Sequence, residues 1–325
     1  MPHTHTEIAA LNWSFIKQVG YRKWLLRTLV RQGRKRFLGL GCTLTLPTGC
    51  DFPIPRQSHY GSEVFTTDAD VDFGAEALLA RVVSPATTFL DVGANIGYYS
   101  AYLYPCVAFV HAFEPDRRVW PSLQSLADRL TNLTVHPVAI SDHCGRAALR
   151  PGTGSETSAL DGCTNAGESV EIRTLDSLIP SFSGPVGAIK IDTEGHEAFV
   201  LRGAPLLISR DRPIVVLETQ AEEWLFDWAC AHGYCVAAPV CTAPLWQHRF
   251  EWLTAPGAVG IKMAFLVPLE RQQAVAQAAA SLYPTQGRYA TALKAFQSST
   301  RTRLKCKQFL CCDSALASPG GFTGS

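Results

Sequence analysis

The sequence predicts an α/β protein built on a parallel, doubly wound sheet. Three observations carry that prediction. Short apolar runs of strand length alternate with helix-compatible stretches from residue 87 to residue 268. The first run closes in a glycine-interrupted turn, DVGANIG (91–97), that opens a helix. The second run closes on an acid, Glu114, at the sheet end where open α/β folds bind ligands.

Residues 12–38 read as a basic amphipathic helix interrupted near Gly33. Phe15, Ile16, Val19, Leu26, Leu29 and Val30 recur at helical spacing, with basic residues between them. The expected arrangement packs the apolar stripe on the domain and leaves the basic face in solvent. Weak contact with an anionic membrane surface is the alternative use of that helix. A Pro/Gly-rich passage follows, from Pro47 to about Gly61. TTFLDVG (87–93) is the first strand, with a helix behind it through Tyr104; AFVHAFEP (108–115) is the second, followed by a helix from Trp120 to Leu130. LTVHPVAISD (133–142) is the third. Between 145 and 175 a β-hairpin is expected, with RAALRP and SVEIRTL as strands around a Ser/Thr/Gly-rich loop. VGAIKID (186–192) and RPIVVLE (212–218) each lead into helix-compatible sequence, and YCVAAPV (234–240) and KMAFLVP (262–268) end the series. Helical signals resume over 270–300, and the Ser/Gly-rich end from about Cys312 reads as disordered. The expected division is a basic helical extension over 1–60, a main domain over 61–269, and a C-terminal helix with a tail over 270–325.

The composition fits this plan. Of 325 residues, 47% are apolar and 18% charged, enough for a sizeable core and against global disorder. The net charge of +1 hides an asymmetry: residues 1–50 hold eight Lys/Arg against the single acid Glu7, and residues 301–325 hold four against Asp313. Basic ends flank an acidic body. Eleven cysteines show no C-x-x-C pair or regular spacing, and the first 30 residues contain no cleavable apolar core. Reduced thiols in a cytoplasmic protein are expected, rather than disulfides or a zinc site. No apolar run reaches 18 residues, so no spanning helix is expected.

In the turn, Gly93 and Gly97 permit close backbone approach, and the following helix directs free N–H groups at the crevice. Glu114 suits bidentate hydrogen bonding to two ribose hydroxyls; the competing reading is a charge at the start of the helix after Pro115. Ala94 and Asn95 stand where a dinucleotide fingerprint needs its close-approach glycine, and Asp91 would repel a pyrophosphate. An acid there suits a ligand with an ammonium group, such as the methionyl part of S-adenosylmethionine. An NAD-linked oxidoreductase falls behind.

FLDVGANIGYYS, AFEPD, VAISDHCG, TLDSLI and IKIDTEGHEAFVLRGA, in this order, resemble the FkbM family of S-adenosylmethionine-dependent methyltransferases, from about Phe89 to Glu218. The resemblance implies a Rossmann-like class I methyltransferase fold, with a mostly parallel seven-stranded sheet whose last strand is antiparallel. It also implies methylation of a hydroxyl on a sugar or other small metabolite. Carried over by position, Asp91 and Gly93 would hold the methionyl end, with Ala94 and Asn95 in the same turn, and Gly97 would let its helix approach. Glu114 would bind the ribose, Ser141 and Asp142 would lie beside the adenine, and Asp192 would line the methionyl side. The basic N-terminal segment and residues after about 270 fall outside the resemblance. A non-catalytic adaptor that keeps the fold and binds partners through its basic ends is the alternative.

The most charged stretch is the nonapeptide IKIDTEGHE (189–197). Strand periodicity places Lys190 and Asp192 on one face and Ile189 and Ile191 on the other. Lys190 is expected to pair with an acid, Asp192 and Glu194 to face the crevice, and Glu197 to cap the next helix, which Gly203 can end. Glu194 is the preferred general base, Lys190 opposes the rise of its pKa, and His196 is the rival base. Asp192, Glu194 and His196 could instead ligate a metal, but the family pattern K-I-D-x-E-G-x-E leaves position 196 open and an ordinary hydroxyl acceptor needs none. No metal is expected. Nor is a nucleic-acid acceptor, because Asp192-Thr193-Glu194-Gly195 replaces the Asp/Asn-Pro-Pro-aromatic loop that amine methylation of bases would suggest. Acceptor specificity is expected in the 145–170 loop, the 241–260 segment with Trp246 and Trp252, and the N-terminal helix.

Overall fold

The predicted alternation is realised as one large sheet covered by helices on both faces. The computed structural model describes residues 16, 19–150, 159–161, 168–242, 247–257 and 259–283. Its strands, in chain order, are β1 (Cys42–Thr45), β2 (Asp51–Ile54), β3 (Thr88–Val92), β4 (Phe109–Phe113), β5 (Leu133–His136), β6 (Ala139–Ile140), β7 (Gly145–Arg150), β8 (Ala159–Asp161), β9 (Glu168–Arg173), β10 (Val186–Ile191), β11 (Ile214–Glu218), β12 (Tyr234–Thr242), β13 (Gln247–Leu253) and β14 (Met263–Pro268). The central sheet has the order β13-β12-β14-β11-β10-β3-β4-β5. β5, β4, β3, β10 and β11 pair in parallel, and β14 lies antiparallel between β11 and β12. Seven strands match the expected set, the last in the chain being the antiparallel one. The eighth, β13, adds to the edge beside β12 and comes from the 241–260 segment. Trp252 on it is buried, so this specificity candidate packs inside the fold. Trp246 lies outside the described residues.

The expected third strand is two strands in two sheets. Pro137 follows β5 and has no N–H to continue the ladder. β6 leaves to pair with β9 in a smaller sheet of order β6-β9-β7-β8. The predicted hairpin is there as the antiparallel β7–β9 pair, with Gly145 opposite Ile172 and Leu149 opposite Glu168. Most of its loop, 151–158 and 162–167, lies outside the described residues.

Alternation along the strands sorts the two faces. Leu90, Val92, Ile189, Ile191, Val215 and Leu217 join Val200, Leu201, Leu207 and Ile208 in one buried cluster, from the helices Glu197–Arg202 and Pro205–Asp211. Each such side chain contributes about 1.5–3 kcal/mol when fully buried. On the other face the helices Ala75–Val82, Tyr98–Leu103 and Gln272–Leu282 pack on one another and on the sheet. The expected helix over 270–300 is Gln272–Leu282; residues from 284 onward lie outside the described residues. Among the described residues no helix is long and apolar enough to cross a membrane, and Cys42, Cys50, Cys106, Cys144, Cys230 and Cys235 carry free thiols.

The N-terminal helix departs from expectation twice. It runs Tyr21–Gly33 and continues as a π-helical turn, Arg34–Leu38. The break falls at Gly20, with φ 88°, while Gly33 stays helical. Its orientation is also inverted. Arg27 and Arg31 point inward, with Lys23 at the exposed end of the same row. Arg31 is fully buried, its Nε donating to Ser62 Oγ at 3.1 Å and its Nη2 to the Pro55 carbonyl at 2.6 Å. Arg27 donates to the Phe65 carbonyl at 2.9 Å, and Arg27 and Lys23 both pair with Asp68. Leu25, Leu26, Leu29 and Val30 face solvent. The surface beneath explains the inversion, because carbonyls of the 55–58 turn and the last turn of the helix His59–Thr66 call for donors rather than methyl groups.

Candidate active site

The site begins at the turn after β3. Gly93 has φ 72°, and a Cβ there would stand 1.8 Å from the Asp192 carbonyl oxygen, so only glycine lets the turn meet the end of β10. Gly97, at φ 83°, starts the helix Tyr98–Leu103; a Cβ would press on Leu123 and Leu126 at 2.7 Å. Ala94 and Gly93 donate to the Phe113 carbonyl, tying the turn to β4. Asn95 takes a left-handed φ of 50°, uncommon for a residue with a side chain. Its N–H donates to Glu114 Oε2 at 2.8 Å, while the Asp116 N–H donates to Oε1 at 2.8 Å. Glu114 is buried, and burial pushes its pKa up to about 7 against those two hydrogen bonds. One lone pair on each oxygen remains for a ligand.

Asp91 lies under the turn rather than on it. It is fully buried; Oδ2 accepts from Ser100 N at 2.9 Å and Ser100 Oγ at 2.6 Å, and Oδ1 has no hydrogen-bond partner. Burial raises its pKa, with Lys190 and Ser100 opposing. The register sets Lys190 directly beside Asp91 on the neighbouring strand. Lys190 Nζ donates to the Gly93 carbonyl at 3.0 Å and lies 3.2 Å from Asp192 Oδ2 and 3.8 Å from Asp91 Oδ1, over the Tyr99 ring. Burial alone would lower its pKa; Asp192 and then Asp91 outweigh that and hold the ammonium charged. The expected pairing of Lys190 with an acid is therefore a three-membered cluster with two carboxylates.

The rest of the nonapeptide divides cleanly. Ile189 and Ile191 enter the core cluster. Glu194 is exposed, with φ 53° at the mouth of the sheet. Glu197 is buried and reaches back, Oε1 accepting from Thr193 N, Gly195 N and Thr193 Oγ1 at 3.0–3.1 Å. His196 does not stand with Asp192. Its Nε2 meets Ser141 Oγ at 2.8 Å, and its ring stacks on Phe199 at 4.3 Å. Burial lowers its pKa. Ser141 is fully buried, and the Asp142 carboxylate meets His143 at 2.8 Å and Arg202 at 3.5 Å. Among the described residues no three His, Cys, Asp or Glu side chains are grouped to hold a metal ion.

Sequence reasoning missed a second group of charges opposite the turn. Ile191 aligns with Leu217, so Glu218 at the end of β11 stands level with Asp192. Lys262 immediately precedes antiparallel β14 and reaches the same end of the sheet. Its Nζ is 2.8 Å from Asp72 Oδ1, and Asp72 Oδ2 accepts from the Tyr99 hydroxyl at 2.7 Å. Glu218 keeps access to solvent, yet burial among these walls, then Asp192, raises its pKa well above the ordinary carboxylate value; Lys262 and Lys190 oppose. The pKa of the Tyr60 phenol, whose ring packs edge-on against Tyr98, is raised by burial and then by Asp72 and Asp192. These residues come from elements with no shared sequence pattern, and the sole local cue was the acid ending RPIVVLE.

The family described as "Methyltransferase FkbM domain" matches residues 91–255. The hexuronic acid methyltransferase AglP of Haloferax volcanii is 31% identical over 116 residues, 35% of this chain and 48% of that protein. The chain thus matches about half the length of that curated relative. Among solved structures, an FkbM methyltransferase from Methylobacillus flagellatus aligns with TM-score 0.40 and 16% identity, over 63% of this chain and 53% of the other. The Pyrococcus abyssi tRNA (uracil-54, C5)-methyltransferase, solved with S-adenosyl-L-homocysteine, aligns with TM-score 0.36 and 14% identity, over 70% and 44%. The matched segment runs from Asp91 through the nonapeptide to the edge strand and holds the turn, Glu114, Ser141 and Asp192. The chain belongs to the FkbM methyltransferase family.

Proposed function

We propose that the chain is an S-adenosylmethionine-dependent O-methyltransferase acting on a hydroxyl of a sugar or other small metabolite. The observation that carries this reading is the set of groups gathered at the carboxyl end of the sheet. A glycine turn braced by a buried glutamate forms one wall, and the Asp192–Glu218–Lys262–Asp72 cluster faces it at the carboxyl end of the sheet. The residues fit the cofactor. Glu114 retains acceptor capacity for two ribose hydroxyls, Asp91 Oδ1 and Asp192 offer negative charge for an ammonium group, and Ser141 and Asp142, which follow β6, would lie beside the adenine. The relative's description as a hexuronic acid methyltransferase supports a carbohydrate acceptor.

When bound, the cofactor supplies an electrophilic methyl group, so the chain has to align the acceptor and remove one proton. Glu218 is the general base in this reading. It keeps access to solvent at the end of β11, level with Asp192, and burial raises its pKa, which strengthens it as a proton acceptor. Asp72, held by Lys262 and Tyr99, keeps a fixed orientation and can accept a hydrogen bond from a second acceptor hydroxyl. Lys190 holds Asp192 and the Gly93 carbonyl in place. Glu194 is the second reading for the base, favoured by its left-handed backbone, since strained residues cluster at functional sites.

Isothermal titration with S-adenosylmethionine, combined with a turnover assay on hexuronic acids and simple sugars after exhaustive chelation, tests the proposal. Saturable binding and methyl transfer that survives the chelator are expected. Binding without transfer to any hydroxyl acceptor would favour the adaptor reading, and activity restored only by added magnesium or zinc would return Asp192, Glu194 and His196 to consideration as metal ligands.

A further inference from the structure

The outward side of the helix Tyr21–Gly33 has no part in the chemistry above. Leu26 and Leu29 are 63% and 61% exposed, and Phe37 in the π-helical turn is 87% exposed. Leu25, Leu26, Leu29 and Val30 occupy adjoining helical rows and form one apolar stripe. An apolar patch of this kind on a soluble surface marks an interaction site. Its rim is basic: Arg22, Arg34 and Arg36 are exposed, and residues 21–40 contain no Asp or Glu. The helix cannot roll over to bury its leucines. Doing so would strip fully buried Arg31 of the Pro55 carbonyl and Ser62 hydroxyl, and Arg27 and Lys23 of Asp68.

We propose that this face docks the protein on an anionic lipid surface, with the leucines entering the boundary between headgroups and acyl chains and the arginines at the lipid phosphates. Charge decides the occupant. A second copy meeting the same patch about a two-fold axis would bring Arg22, Arg34 and Arg36 against their equivalents, with no acid in the segment to pair them. Anionic headgroups complement that rim. The inference is independent of the methyl-transfer reading, because none of these residues contributes to the cleft.

The test is co-sedimentation of the full chain with vesicles of phosphatidylcholine alone and of phosphatidylcholine mixed with phosphatidylglycerol. Binding to the mixed vesicles is expected, weaker by about tenfold or more without the anionic lipid and weakened by salt. The double variant Leu26→Ser/Leu29→Ser should lose about tenfold or more in binding, because both side chains supply buried apolar area only in the docked state. Its melting temperature should stay near that of the wild type, since neither leucine is packed in the fold. Arg22→Gln/Arg36→Gln should weaken binding and flatten its salt dependence. Absence of binding to the mixed vesicles, or equal binding by the double serine variant, overturns the proposal. So does a dimer in sedimentation velocity that the serine variant dissolves, which would assign the stripe to a second copy.

Discussion

The two walls of the cleft are assembled in opposite ways. On the turn side, carboxylates are engaged by backbone donors: Glu114 by Asn95 and Asp116, Asp91 by Ser100. On the facing side, charges are compensated by other side chains, Asp72 by Lys262 from a distant segment and Asp192 by Lys190 from the same strand end. Backbone donors are fixed by the fold and leave little freedom to the group they hold. Side-chain pairs can be exchanged one at a time. The first wall suits an invariant ligand, and the second a variable acceptor.

Substitutions on the two walls should therefore separate chemistry from cofactor binding. The largest effect is expected at Glu218. Glu218→Gln should lower kcat by about 10²-fold or more at saturating cofactor, the range for loss of a general base, with the cofactor Kd nearly unchanged. Glu194→Gln in the same assay ranks the two acids, and a near-normal kcat for the Glu218 variant would move the base to Glu194 or beyond.

Next comes Glu114→Ala, expected to weaken cofactor binding by about 2 kcal/mol or more through loss of charge-assisted hydrogen bonds. The wild type should show the matching pH dependence. Ribose hydroxyls donate to the ionised carboxylate, whose pKa stands at about 7 in the free protein, so affinity should rise as pH climbs through that value and level off above it. A Kd that stays flat from acid to alkaline pH, or an unaltered Kd in the folded variant, would remove Glu114 from the site.

His196→Ala is the mildest. The ring engages Ser141 and stacks on Phe199, so its loss should cost about 1 kcal/mol in cofactor affinity and leave the pH–rate profile unchanged. A lost limb in that profile would restore His196 as a base.

The same contrast explains what the sequence could reveal. The turn, Glu114 and the pairing of Lys190 with an acid were legible because strand and turn chemistry operates over a few residues, and the motif order carried the fold; that the acids are Asp192 and Asp91 together was not. Asp72, Tyr99 and Lys262 were not, since tertiary folding alone brings Asp72 and Lys262 within 2.8 Å. Pro137 shows a readable cue passed over, because a residue without an N–H inside LTVHPVAISD marks where the ladder must break. The N-terminal helix shows the limit of periodicity. The spacing of Leu26, Leu29 and Val30 correctly defines a stripe, but which side meets the protein depends on the carbonyls of residues 55–65, which no helical pattern records.

The position of β14 orders events in time as well as space. A nascent chain emerges from its N-terminus, so the turn, Glu114 and Asp192 are all available once β10 has been made. β11 then waits with an open, apolar Ile-Val-Val-Leu edge, and the β12–β13 hairpin has no attachment to it, until residues 263–268 arrive to fill the gap. Lys262 enters with that strand and neutralises Asp72. The Asp72–Lys262 side of the site is thus completed well after the turn side, and the unfinished chain carries its most adhesive edge during the delay.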